Sequence, residues 1–290
     1  MRVIPLIVKR NLIRTFRSKG AVLIVALMSI LPAIMLLVLG DMWMIPMLSY
    51  TVGDTDIAWT ILRANIVAIT LSVAAFTAPV SILGLVSEDF EKKTIHNFLT
   101  APIKRSHISL SYIISGVLFG LIIHLFILVV SQIFLFMAGD GFLGIGTIIK
   151  LLLFSILILT ALSTIFFYIM SNVKSVQTSG AMTGLIGGFS PILGGVYIQL
   201  SLFPPMIGTI LNFLPFAHTL SLFKRIMILP LVNQFNLSSL VESNLFDEMT
   251  INLQMFGRVI SPTISISIII FSMIIFGVLN VFRFKNLKKK

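Results

Sequence analysis

The densest group of ionisable residues between two long apolar runs forms a charged segment. Carboxylates and lysines are concentrated in residues 88–93, and apolar side chains follow at Ile95, Phe98 and Leu99. The spacing i, i+3 and i+4 places these three along one edge of a helix, which Pro102 is expected to end because proline cannot continue a helix. The pattern predicts a short amphipathic helix, which is either a solvated connector or, as we favour, a docking helix for a cytosolic protein.

The rest of the chain holds no pattern typical of a catalytic or metal site. It has no cysteine, four scattered histidines, no glycine-rich phosphate loop and no His-Glu-x-x-His sequence. No Asp or Glu lies inside a predicted span, which argues against a carrier driven by protons or sodium ions. His124 lies deep in an apolar run, where with Gln132 it could line a polar path or, as we favour, make a helix–helix hydrogen bond. We expect no catalytic residue, metal or cofactor on this chain.

The composition predicts a polytopic membrane protein. The chain of 290 residues is 57% hydrophobic and 11% charged, whereas soluble domains carry roughly 25% charged residues. Its mean hydropathy is +1.08. The windows long enough to cross a bilayer are residues 21–39, 66–86, 108–138, 148–170, 180–200 and 259–282. These runs do not alternate between apolar and polar residues, so helices are expected rather than the strands of a barrel.

The basic residues predict the orientation of these spans. Most Lys and Arg side chains lie in the N-terminal segment, the charged segment and the C-terminal tail. The positive-inside rule then places both termini and the charged segment in the cytoplasm, with the chain in the cell membrane. The net charge of +11 lies at membrane ends, which favours anionic lipid headgroups as its partner and argues against nucleic acid.

Two stretches outside the spans have patterns of their own. Residues 1–20 are expected to form an interfacial helix, because Val8, Leu12 and Phe16 recur every fourth position beside a basic stripe. This helix either anchors the topology or contacts a partner. Residues 201–258 are expected to lie outside the cell. Their proline-rich first half favours short helices that dip into or lie on the outer leaflet, and their polar second half favours a small cap.

A glycine repeat in the fifth window predicts a tight helix contact. Gly180, Gly184 and Gly188 stand four residues apart, and small residues at this spacing let two helices approach closely. Glycine is common in membrane helices, so a single pair would mean little. Three in one span favour helix packing as their role.

Two motifs carry a resemblance to a known family. Residues 88–102 resemble the cytoplasmic segment E-x-E-x-G-T-[LI]-x-x-L-L-x-[TS]-P in permease subunits of ABC-2 type ATP-binding cassette exporters, with Lys93 at the usual glycine. Residues 214–226 are similar to the family's N-P-[LF]-x-[YH]…[LF]-R stretch, with Leu214 at the usual asparagine. The order and spacing of these motifs extend the resemblance over nearly the whole chain. The matching positions of the first motif are Asp89, Glu91, Thr94, Ile95, Phe98, Leu99, Thr100 and Pro102.

The resemblance implies a mechanism and partners. Such permeases pair as homodimers or heterodimers and bind two copies of a cytosolic ATPase, which carries the ATP and magnesium. Residues 88–102 would be the coupling helix, and spans two and five would line the substrate path. The implied coupling residues are Glu88, Asp89, Glu91, Thr94, Ile95, Phe98, Leu99 and Pro102. The implied path residues are Thr70, Ser72, Phe76, Thr77, Pro79, Phe189, Pro191 and Tyr197.

The expected fold is therefore an all-α polytopic membrane protein with six transmembrane helices, an N-terminal interfacial helix and a cytoplasmic coupling helix. It forms a single ABC-2 domain over residues 1–290, with spans one to five in 21–200 and span six and a basic tail in 259–290. The expected function is export of a hydrophobic or amphipathic substrate, such as a drug, an antimicrobial or toxic peptide, or a lipid-linked molecule. The alternatives are a non-transporting immunity or sensor component and, less favoured, a secondary carrier that uses His124.

Overall fold

A computed structural model describes residues 3–95, 98, 103–195, 204–255 and 258–286. The helices in this part of the chain are α1 Val3–Arg17, α2 Lys19–Val52, α3 Thr55–Glu91, α4 Arg105–Met137, α5 Ile145–Asn172, α6 Val176–Leu193, α7 Pro205–Asn212, α8 Pro215–Gln234, α9 Ser239–Glu248 and α10 Pro262–Asn286. A two-stranded antiparallel ribbon joins β1 Gln254–Met255 to β2 Arg258–Val259. The expected all-α membrane architecture is confirmed.

The membrane-spanning elements number five or six among the described residues. Helices α2, α3, α4, α5 and α10 are each long and apolar enough to cross a bilayer. Helices α7 and α8 meet at 75° and together form either a broken span or a re-entrant loop. Pro215 occupies the first turn of α8, where a missing N–H is tolerated but the preceding helix cannot continue.

The fifth predicted span, residues 180–200, is described only as far as Gly195. Helix α6 ends at Leu193 and is not among the helices that are long and apolar enough to cross alone. Glycine, serine and threonine residues dilute its hydropathy. A count of six spans among the described residues uses the bent α7–α8 pair, which lies where the sequence predicts only short helices at the outer leaflet.

Helix α3 is the centre of the bundle. It packs against α2, α4, α5, α6 and α8, and 94% of its most apolar window is buried. By comparison, the corresponding windows of α2 and α10 are 28% and 17% buried, as expected for helices whose outer faces contact lipid. A movement of α3 would therefore displace or repack the five helices that contact it.

A glycine of α4 lies at the close contact between α4 and α5, whereas the predicted glycine repeat of α6 makes no such contact with the described chain. A Cβ atom added at Gly120 would lie 2.4 Å from Leu159 Cδ2, so a larger residue there would require the Leu159 side chain to shift. Added at Gly180, Gly184 or Gly188, it would meet no atom of the described chain within 4 Å. The tight contact predicted for these three glycines stays a prediction, and no described part of this chain supplies its partner.

The side of the bundle opposite α1 is closed by a small polar layer. Helix α9 and the β-ribbon follow α8 there. The buried Lys224 donates from Nζ to the carbonyl of Met249 at 2.7 Å, which ties α8 to the end of α9. On the same side, Arg63 near the start of α3 binds Asp140 in the α4–α5 loop, with 2.7 Å between Nη2 and Oδ1.

Candidate functional site at the turn between α3 and α4

Helix α1 lies against the ends of α3 and α4. Its buried residues are Ile7, Val8, Asn11 and Thr15, which share one face because helix positions three, four, seven and eight apart lie together. The predicted apolar stripe is therefore only partly right. Val8 is buried, whereas Phe16 is 41% exposed and touches the bundle through the edge of its ring against Phe119.

Asp89, near the end of α3, is the point where three helices meet. Its side chain is 1% exposed, and its Oδ1 accepts a hydrogen bond from Arg14 Nη1 at 2.8 Å. Its Oδ2 accepts hydrogen bonds from Arg10 of α1 and from the hydroxyl of Tyr112 of α4. Burying a carboxylate is costly unless it is paired and hydrogen-bonded, and here both oxygens have donors. Asp89 therefore joins α1, α3 and α4.

Further polar contacts extend this arrangement. Arg10 Nη2 donates to Asn11 Oδ1 at 2.9 Å, and Asn11 Nδ2 donates to Ser115 Oγ at 3.1 Å. Arg14 also pairs with Glu88 at 2.9 Å. We call these residues the Asp89 cluster: Arg10, Asn11, Arg14, Glu88, Asp89, Tyr112 and Ser115.

The charges of the Asp89 cluster reinforce one another. Burial would lower the pKa of the Arg14 guanidinium, but its hydrogen bond to Asp89 and the charges of Asp89 and Glu88 outweigh burial and raise that pKa. Two arginines face two carboxylates, so the cluster is electrically balanced. It is suited to holding helices together rather than to proton transfer.

The turn after α3 explains one departure from the family motif. Lys93, which stands where the family has glycine, has a φ of 58°. This left-handed conformation favours glycine and costs a residue with a Cβ on the order of 1–2 kcal/mol. The backbone needed at this turn is therefore kept although the glycine is absent.

Two residues of the apolar edge predicted to dock on a partner, Ile95 and Phe98, pack against the bundle of this chain, and docking by this edge stays a prediction. Ile95 is 1% exposed and belongs to the hydrophobic core. Phe98 packs against the same core, with the Arg10 guanidinium 4.9 Å from its ring centre, a distance at which a cation and an aromatic face attract. The edge is apolar because the turn folds back onto the bundle. Leu99, Thr100 and Pro102 lie outside the described residues.

The exposed face of the turn is charged. Glu91, Lys92 and Lys93 are exposed, whereas Thr94 is half-buried. Lys92 pairs with Glu88 at 2.6 Å. Glu91 Oε2 accepts from the backbone N–H of Val176 at 2.7 Å, so a carboxylate at the end of α3 holds the first turn of α6, where negative charge is favourable. We call Glu91, Lys92 and Lys93 the charged face.

The predicted path residues of α3 are covered by other helices of the same chain. Thr70, Ser72, Phe76, Thr77 and Pro79 are all buried. The ring of Phe76 stacks 4.6 Å from that of Phe216 on α8, and Thr77 Oγ1 lies 3.1 Å from Ser29 Oγ on α2.

The path residues of the fifth window are divided. Phe189 is 52% exposed, whereas Pro191 is buried, and Tyr197 lies outside the described residues. Phe189 is therefore on an outer surface and the α3 side chains are inside the bundle. The substrate path stays a prediction, and it requires a movement that uncovers α3.

His124 and Gln132 do not share a polar path. His124 is fully buried, and its Nδ1 pairs with the carbonyl of Gly120 in its own helix at 2.9 Å. Gln132 Oε1 accepts from the N–H of Leu143 at 3.0 Å. Each side chain therefore has its own local partner.

Tyr112, Asn11 and Ser115 belong to the Asp89 cluster, but the sequence analysis does not predict them as site residues. A usable signal was present in Tyr112, because a tyrosine hydroxyl inside a span needs a partner. The i, i+4 pair Arg10 and Arg14 presents two cations on one helix face. Neither pattern says that the shared partner is Asp89.

The fold and the site together define a polytopic helical membrane protein whose exposed turn is firmly joined to the bundle. Residues 2–228 match the family model described as ABC-2 type transporter. Because that match covers most of the chain, the protein belongs to the ABC-2 type transporter family. It is a multi-pass permease component of an ABC transporter, and such components usually have no catalytic activity and generally work with an ATPase partner. No curated protein matches the sequence.

Proposed function

We propose that this chain is the permease subunit of an ATP-driven exporter and that an ATPase binds the charged face. The observation that carries this proposal is the Asp89 cluster. It joins the turn to α1 and α4 within a few ångströms of Glu91, Lys92 and Lys93, which face solvent. A force applied to an exposed turn is useful only if the turn cannot yield by itself, and buried charge pairs resist such yielding.

The force would then reach the substrate path through α3. Closure of two ATPase subunits on ATP and magnesium pushes the charged face, and α1 and α4 follow because Arg10, Arg14 and Tyr112 all hold Asp89. Helix α6 follows through Glu91 and the N–H of Val176. The five buried α3 positions, among them Thr70 and Thr77, become accessible when the helices around α3 move apart.

The orientation in the membrane and the class of cargo are inferred from charge and polarity, and export is inferred from the family. The positive-inside rule supports a cytoplasmic position for both termini and the charged face, in the cell membrane. The predicted path has hydroxyls and aromatic rings but no carboxylate, which suits a hydrophobic or amphipathic cargo better than a small ion. A second permease chain completes the path, and the outward-facing Phe189 and glycines of α6 support a contact with it.

The test is purification of the tagged protein from its native membrane in mild detergent, with identification of the proteins that co-purify. A stoichiometric ATPase is expected with the native chain and with the charge-preserving variant Lys92→Arg plus Lys93→Arg. Charge reversal, Lys92→Glu plus Lys93→Glu, should lower the bound ATPase at least several-fold because the partner meets repulsion there. Equal recovery from both variants would overturn the docking assignment, and the absence of any ATPase from the native chain would overturn the exporter proposal.

A further inference from the structure

A cavity of about 760 Å³ lies on the side of the bundle opposite the Asp89 cluster. It is formed by the first turns of α5, the middle of α8 and the start of α10. Cavities of about 300–1,000 Å³ are the size of ordinary ligand sites. Its apolar wall consists of Leu153, Phe154, Leu157, Ile226, Leu229 and Ile266.

Two cations stand at this apolar wall. Lys150 and Arg225 line the cavity together with Asn233, and no carboxylate is among the lining residues. Within the described ranges neither cation has an Asp or Glu within ion-pair distance. Arg225 is held from one side by Phe246, whose ring centre lies 5.1 Å from its guanidinium carbon. The cavity therefore offers two positive charges that the described chain does not neutralise.

The cavity opens at an exposed apolar surface of α5, as expected for a surface that contacts lipid. Leu153 lines it and is also 63% exposed, and its neighbours Ile149 and Ile156 on α5 are 51% and 46% exposed. Lys150 is five residues from the start of α5, which corresponds to roughly 8 Å along the helix. A lysine at that depth extends its ammonium group to the level of the lipid headgroups while its stem stays in the apolar layer.

We propose that this cavity binds an anionic phospholipid from the leaflet opposite α1. The phosphate lies between Lys150 and Arg225, and an acyl chain follows the wall from Leu153 to Leu157. Arginine matches phosphate with two parallel hydrogen bonds, and lysine adds a point charge. The lipid joins α5, α8 and α10, which makes it a structural ligand at a site separate from the predicted substrate path on α3.

The test uses the full chain in nanodiscs of neutral phosphatidylcholine with a trace of photoactivatable phosphatidylglycerol. Labelled peptides are identified by mass spectrometry. The labels are expected on residues 144–157 and 222–233, and unlabelled phosphatidylglycerol should displace the probe. Lys150→Ala plus Arg225→Ala should reduce this labelling at least fivefold. The exposed cation Arg258 provides the control, because Arg258→Ala should leave it unchanged.

Two further experiments test whether labelling depends on the apolar part of the cavity and whether the ligand is a phospholipid or free phosphate. Leu153→Trp keeps both charges and fills an exposed part of the cavity, so it should also reduce labelling without disturbing the core. Inorganic phosphate at millimolar concentration should not displace the probe. Labelling that survives the loss of both cations, an equally strong signal from a phosphatidylcholine probe, or full displacement by inorganic phosphate would each overturn the proposal.

Discussion

The two ends of α3 are both fixed by contacts between arginine and a carboxylate, but the contacts differ in what they connect. At one end, Asp89 of α3 is held by two arginines of α1 and a tyrosine of α4, and is 1% exposed. At the other end, Arg63 of α3 binds Asp140 in the α4–α5 loop, and these side chains are 19% and 9% exposed. The first contact joins three helices beside an exposed turn, whereas the second fastens one helix to one loop.

This difference suggests two roles: the Asp89 cluster couples the exposed turn to the bundle, and the Arg63–Asp140 pair anchors α3 to a loop. The Asp89 cluster lies next to the charged face, so its loss should disconnect the turn from the bundle. The Arg63–Asp140 pair lies at the opposite end of α3 from the charged face, so its loss should cost stability alone. Two predictions test this distinction.

The largest effect is expected for Asp89→Asn. The substitution leaves Arg10 without a carboxylate and Arg14 with Glu88 alone, and breaking a buried pair costs about 3–5 kcal/mol. The partial exposure of Arg10 and Arg14 places the cost toward the lower end of that range. Unfolding in detergent should therefore begin at a clearly lower temperature. In the reconstituted complex with its ATPase, less substrate should move per ATP hydrolysed.

Asp140→Asn is the matched control for that prediction. It makes the same chemical change at the other end of α3, where one arginine binds the carboxylate instead of two arginines and a tyrosine, so the loss of stability should be smaller than for Asp89→Asn. The amount of substrate moved per ATP should stay unchanged. If both variants lower this ratio equally, the two ends of α3 have the same role and the distinction between coupling and anchoring is wrong.

The smaller prediction concerns the backbone of the turn. Lys93→Gly should raise the free energy of unfolding by up to about 1 kcal/mol, because glycine adopts the left-handed conformation without the strain of a Cβ. Lys92→Gly is the control. Lys92 has a φ of −77°, so glycine there should lower stability by roughly 0.5–1 kcal/mol through backbone entropy. Chemical denaturation in detergent measures both, and equal losses would show that Lys93 is unstrained.

The sequence predicts the membrane class and most of the spans because bilayer thickness imposes a length and a composition on each helix. It does not predict that α3 is the buried centre, since near-uniform apolar spans do not show which face points inward. The glycines illustrate this point. Gly120 closely approaches the Leu159 side chain, whereas a Cβ added at Gly184 would meet no described atom within 4 Å, yet each belongs to a run of glycines four residues apart.

The sequence locates the charged segment along the chain, but it does not show which of its side chains face solvent and which face the bundle. The sequence singles out the charged segment with Glu91, Lys92 and Lys93, and these three side chains are exposed, whereas their role in docking stays a prediction. The apolar spacing of Ile95 and Phe98 is equally typical of a helix that docks on a partner and of one that folds back on its own bundle. Only the contacts with the core and with Arg10 decide between these, and they favour the second.

The measurement that tests the account most directly is crosslinking from the charged face in native membranes. The chain has no cysteine, so a single Lys93→Cys variant can carry one photoactivatable group. The account predicts that this group captures an ATPase subunit and that the same group at Arg258→Cys, on the other side of the bundle, does not. Capture of the ATPase from position 258, or of no ATPase from position 93, would contradict it.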